Sequence, residues 1–222
     1  MKTPVGMAMC LLLLAVSFVA GGEKTRLRFL AESVPADLGE VVWMAGGKEG
    51  GGLQLAGNQL SAPINVPDRV IGLQSKQDRR KLGVVTLPAA GDSFVVLLIP
   101  EPAGTLKSVV IDANPRNFHG GDVFLYNHSD RKIGGHLGAT EFELAPGEGM
   151  SLRAGGDLTE GNYNVAFNVR EETGDRVLRT MRWPVQTRSR SYGFFFRNPG
   201  KDRIEFRAVD EFVEPAKEQI PK

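Results

Sequence analysis

A chain of 222 residues, 41% hydrophobic and 24% charged, can fill two cores of about a hundred residues each, which excludes a disordered or low-complexity protein. Its 27 basic residues stand against 26 acidic ones, so no net field steers it toward nucleic acid or an anionic surface. The single cysteine excludes a disulfide framework and a multi-cysteine metal site.

The chain opens with Lys2, an apolar run over 7–20 that includes Leu11 to Leu14, and then Ala20-Gly21-Gly22 before the first acid, Glu23. A basic start, a short apolar core and a small-residue exit predict a secretory signal peptide over 1–22, too short to be a comfortable membrane span. Phe18 argues for cutting after Gly21 or Gly22 rather than after Ala20. Cys10 lies inside the apolar run, not at its end where a lipid anchor needs it. The exported chain is then thiol-free and formally neutral, which fits a bacterial periplasmic or secreted location, with no membrane span left after the signal is removed.

From residue 23 on, short strand signals recur with Gly, Pro, Asn and Asp between them. In the first half they fall at 27–31, 40–44, 53–56, 59–65, 70–74, 82–87, 94–99 and 108–112. In the second they fall at 123–127, 133–137, 141–144, 150–153, 163–170, 177–183, 192–197 and 203–209. The clearest alternates large apolar residues, so that Tyr163, Val165, Phe167 and Val169 share a buried face while Asn164, Asn168 and Arg170 meet water. Gly57-Asn58, Pro146-Gly147 and Thr173-Gly174-Asp175 supply turn chemistry. The glycine-rich stretch 46–52 reads as a flexible hairpin loop; Lys48 is followed by Glu49, so it is no phosphate loop.

The two halves repeat one pattern. Leu87-Pro88, the apolar run 93–99 and a Pro-Gly stretch lead into Val109-Val110-Ile111-Asp112. About a hundred residues later, Trp183-Pro184, the run 191–197 and Asn198-Pro199-Gly200 lead into Phe206 to Asp210. The fold class expected is all-β, a tandem pair of related antiparallel β-sandwich domains (Ig-like or cupredoxin-like). The domains are set at 23–115 and 120–210, with 211–222 as a flexible tail. Phe94 to Ile99 is apolar at every position, and Phe194-Phe195-Phe196 nearly so. A strand apolar on both faces needs cover on both. Either a loop of the same domain supplies the second cover, or these faces join the domains or a second subunit.

Candidate sites are few. His119, His128 and His136 cluster in sequence, but a hairpin turning at 129–131 holds the last two apart at opposite ends, too far to share an ion. His119, Asp122 and His136 form a weaker triple. Gly91-Asp92-Ser93 resembles an esterase block, yet a strand rather than a helix follows Ser93, and the partner Asp-x-x-His is missing. Neither a catalytic set nor a cofactor or metal site is expected. The best candidate ligand surface is Trp183, Arg188, Arg190 and Tyr192, arginine beside aromatic rings, suited to a polysaccharide. Nucleic acid is not an expected partner.

In the second half Asp122 to Ser129 is followed by Ile133-Gly134-Gly135-His136-Leu137-Gly138, then Phe142-Glu143-Leu144-Ala145-Pro146-Gly147, and later by Trp183-Pro184 and Asn198-Pro199-Gly200. This resembles exported proteins of planctomycete and verrucomicrobial type bacteria, in which a Phe-x-Asn-x-Ser strand precedes a Leu-Gly-Gly strand and a Pro-Gly turn. Tyr126 and His128 fill variable places, and His136 interrupts the glycines. The resemblance covers about the last hundred residues, and it implies a β-sandwich pair in the envelope and brings no catalytic residues. A looser likeness to periplasmic β-domains that assist polysaccharide modification rests on the same residues. The expectation is therefore a non-catalytic, exported envelope protein, a protein-binding adaptor or structural module; the alternative is a carbohydrate-binding module.

Overall fold

The structure, a computed structural model, describes residues 24–213 except 157, 159, 160, 173, 199 and 202. The expected signal peptide and most of the expected tail lie outside the described residues. The described chain is all-β, with no helix. The first half comprises β1 (Thr25–Ala31), β2 (Val41–Ala45), β3 (Lys48–Leu53), β4 (Ile64–Val66), β5 (Val70–Ser75), β6 (Lys81–Thr86), β7 (Ser93–Pro100) and β8 (Leu106–Asp112). The second comprises β9 (Asp122–His128), β10 (Ile133–Leu137), β11 (Thr140–Leu144), β12 (Gly149–Arg153), β13 (Asn162–Glu171), β14 (Gly174–Pro184), β15 (Ser189–Asn198) and β16 (Arg203–Phe212).

The repeat is complete at the level of topology. Sheet orders β4-β1-β7-β8 and β3-β2-β5-β6 in the first half become β12-β9-β15-β16 and β11-β10-β13-β14 in the second, each strand advanced by eight. The sheets containing β1 and β9 are mixed, which corrects the antiparallel expectation. β1 runs parallel to β7 from Arg26↔Ser93 to Ala31↔Leu98, and β9 parallel to β15 from Ser191↔Val123 to Phe196↔His128. These partners are far apart in sequence and are joined through strands of the other sheet, so no hairpin forces them antiparallel.

Three cores stack in sequence. Leu27, Phe29, Phe94, Val96 and Leu98 face Val41, Ile71, Leu73, Leu82 and Val85 within the first half. Leu125, Phe195 and Ile204 face Ile133, Leu137, Phe142, Val165, Phe167 and Val169 within the second. Between them a third core joins the halves: Leu30, Val95, Leu97, Ile99 and Ile111 pack against Tyr126, Tyr192, Phe194, Phe196 and Val209. Alternation explains this directly. In β7 the even-numbered residues fill their own half and the odd-numbered ones meet the other half; in β15 Phe195 turns inward while Phe194 and Phe196 turn to β7 and its neighbours. The second cover for the doubly apolar strands is therefore the other half, not a loop.

Polar contacts flank this apolar layer. Arg28 Nη1 meets Glu211 Oε1 at 3.1 Å, and His128 Nδ1 lies 2.6 Å from Glu32 Oε2. Arg207 donates to the backbone oxygen of Glu32 at 2.7 Å, with its guanidinium 5.2 Å from the ring centre of Phe196. The link between β8 and β9 also contributes: Phe118 is buried, edge-on to Tyr192 with ring centres 5.4 Å apart.

Three sequence readings are corrected. Residues 48–53 are β3 rather than a loop, because Gly50 leaves space for the Trp43 ring to lie across the strand; a Cβ there would sit 1.9 Å from Trp43 Cε2. Residues 53–56 form no strand beyond Leu53, and of the 59–65 segment only 64 and 65 fall in a strand, β4. β16 runs through Glu211 and Phe212, and Glu211 is buried, so the tail does not start there.

Candidate binding surfaces

The four residues expected to form one ligand surface are not brought together. Tyr192 is 1% exposed and Arg190 3% exposed, both facing inward. Arg190 donates through Nε to Glu211 at 2.7 Å and through Nη1 to the Phe118 carbonyl at 2.8 Å, while the Tyr192 hydroxyl donates to Glu211 at 2.6 Å. Burial, then the negative charge of Glu211, holds the Tyr192 phenol far above its ordinary range. Arg188 is exposed. Trp183 is half-buried against Phe206 and Tyr163, with ring centres 6.1 and 6.3 Å away.

Trp183 does reach a pocket, with a different aromatic partner. Register pairs Tyr163 on β13 with Trp183 on β14, and the two line a space of about 180 Å³ with Asp122, Gln186, Ser191 and Asp210. Burial pushes the Tyr163 hydroxyl up to about 12, with the charge of Asp210 adding to the shift. The signal for Tyr163 was in the sequence, as the first member of the alternating run, but that run marked it as core.

A second surface lies along β14. This strand is the edge of its sheet, is exposed along most of its 11 residues and leaves Val177 64% exposed. Between β14 and β16 runs a groove walled by Arg176, Arg179, Lys201 and Arg203, with Glu205 as the acid among the described residues that line it. Hydrogen bonds from Lys201, Asn198 and Arg203 hold the Glu205 carboxyl down to about 2. At the matching place in the first half β6 and β8 approach each other: Ser108 on β8 donates to the Val84 carbonyl on β6 at 3.1 Å, and a Cβ on Gly83 would lie 2.4 Å from the Leu106 backbone oxygen.

A third space of about 430 Å³ opens at one end of the layer between the halves, with Arg26 and Arg28 of β1 on its wall. Those two arginines were missed although the Arg-x-Arg spacing of 26 and 28 places both on one strand face. The expected strand began at Leu27.

The histidines have separate partners. His119 Nδ1 is 3.3 Å from Asp122 Oδ2, His128 meets Glu32, and His136 Nδ1 lies 3.0 Å from the Gly138 carbonyl oxygen. Residues 129–132 do not close a hairpin: β9 and β10 belong to different sheets, and the segment crosses between them. Asp122 also accepts from Arg153 Nε at 2.6 Å. Among the described residues no group of three or more His, Cys, Asp or Glu is placed to hold a metal ion. Ser93 opens β7 as a strand residue, and the neighbouring Asp92 accepts a hydrogen bond from Asn114 at 3.0 Å.

No protein-family model matches the chain, and no curated protein sequence matches it.

Proposed function

We propose that this protein is an exported, non-catalytic binding module, acting in the bacterial envelope as a rigid adaptor for a protein partner. The observation that carries this reading is the edge of β14, which pairs with no further strand among the described residues, beside its cationic groove. An edge strand presents unpaired backbone N–H and C=O groups to an incoming extended segment, and side chains beside it select the sequence. Arg179 forms no ion pair with the described residues, so an acidic segment is the complement. The aromatic strands, which would be the obvious sticky surface, are spent on the core between the halves. That core supports rigidity, because the edge is then held on one continuous body. The sequence resemblance to exported proteins supports the envelope setting.

A carbohydrate-binding reading rests on a different observation, the pocket where Trp183 and Tyr163 meet beside Asp122 and Asp210. Aromatic faces with nearby carboxylates suit a sugar, although at about 180 Å³ the space holds little more than one ring.

Affinity capture from a native envelope extract, comparing the protein with its Arg179→Glu variant at low salt, tests the first reading. A protein retained by the parent and lost from the variant is the expected result. A polysaccharide retained equally by both, and lost from Trp183→Ala, would replace the adaptor with the glycan binder.

A further inference from the structure

The space between the halves carries more positive charge than its own acid balances. Its wall includes Arg26 and Arg28 from the first half and Arg190 and Glu211 from the second. Among the described residues lining it, Glu211 is the only acid. Its Oε1 meets Arg28 Nη1 at 3.1 Å, and its Oε2 accepts from Arg190 at 2.7 Å and from Tyr192 at 2.6 Å. One carboxylate thus serves two guanidinium groups and a phenol. Arg28 Nε is buried without a hydrogen-bond partner, so that guanidinium is under-satisfied where it stands. Arg26, two residues away on the same strand face, is exposed and forms no ion pair with the described residues.

Guanidinium groups under-compensated in a partly desolvated cleft are costly, and an oxyanion relieves that cost. Arginine's planar fork matches carboxylate and phosphate oxygens. Apart from Ser93, the remaining wall is apolar: Phe94, Val95, Ala113, Pro115 and Val213, with Phe212 beside them and 68% exposed. A volume of about 430 Å³ lies in the range of small-molecule sites.

We infer that this cleft binds a small organic oxyanion, a carboxylate or phosphate on a compact apolar body, clasped by Arg26 and Arg28 from one half and seated beside Arg190 and Phe212 from the other. Because both halves supply walls, the bound anion also ties them together. The site is separate from the β14 groove and does not depend on the adaptor reading.

Isothermal titration of the protein with phenylacetate and, separately, phenyl phosphate at low ionic strength tests this. Saturable 1:1 binding of at least one probe is expected, and the tighter one names the oxyanion. Arg26→Gln, a change at an exposed, unpaired side chain whose fold is checked by circular dichroism, weakens it by about tenfold. Phe212→Ala weakens it as well. No saturable binding of either probe at millimolar concentration, or binding undiminished in Arg26→Gln, would overturn the inference.

Discussion

Arg190 Nε and Glu211 Oε2 lie 2.7 Å apart, with side chains only 4% and 9% exposed. The pair ties the start of β15 to the end of β16, and through Arg28 the same carboxylate reaches the first half. Removing the charge while keeping the shape leaves two arginines without their counter-ion. Glu211→Gln is expected to destabilise the protein by about 3 kcal/mol, the range for breaking a buried pair from one side. A urea midpoint within error of the parent would mean that solvent, rather than Glu211, satisfies these guanidinium groups.

Leu97 is 1% exposed in the core between the halves. Leu97→Asp buries an unpaired charge there, with an expected cost on the order of 3 kcal/mol or more. Dye binding to newly exposed aromatic surface should rise with it, since Tyr126, Phe194 and Phe196 lose their cover. A variant with unchanged midpoint and no dye binding would place Leu97 in contact with water.

All three tyrosines, Tyr126, Tyr163 and Tyr192, are held above the ordinary value of 10.0, by burial first in each case. The protonated phenol is the form the folded state favours. Between about 10 and about 12 for Tyr163, the native protein therefore binds more protons than the unfolded chain. The stability Tyr163 contributes is full below pH 10 and is lost as the pH rises through about 12. Absorbance at the tyrosinate band should stay flat through the ordinary tyrosine range in native protein and rise there in denaturant. A normal titration in the native state would contradict the burial of these side chains.

Gly50→Ala drives a methyl group into the ring of Trp43. The expected outcome is a red-shifted Trp43 emission, read in a Trp183→Phe background, and a loss of about 1–3 kcal/mol, the usual range for overpacking. Unchanged emission would show that Trp43 does not lie across β3.

The alternating strands were the most legible part of the fold. Tyr163 to Arg170 was read with its faces assigned, because one side of β13 is buried and the other meets water. The doubly apolar runs at β7 and β15 announced that two covers exist but not which, since composition cannot say whether a loop or another domain supplies the second. Gly46 to Gly52 was misread because glycine signals a loop by propensity, whereas here Gly50 serves the ring packed on it from β2. Glu211 was misread for a related reason: an acid near a chain end looks solvated until the arginines of β1 and β15 close on it. Arg190 and Tyr192 looked like a binding surface for the same chemistry that fits them to bridge strands internally, since arginine and tyrosine bury apolar bodies and pair polar tips. The parallel pairing of β1 with β7 left no local trace, because its register is set by contacts distant in sequence.

If the aromatic strands fuse the two similar halves into one cooperative body, both halves unfold together. The two tryptophans report on it separately, with Trp43 packed on the first-half core and Trp183 on the second. Urea unfolding followed by fluorescence in Trp183→Phe and Trp43→Phe variants gives one half at a time. Once each curve is corrected for the stability change of its own substitution by circular dichroism, coincident transitions with the same midpoint and slope are expected. Two separated transitions, one half melting while the other stays folded, would contradict it.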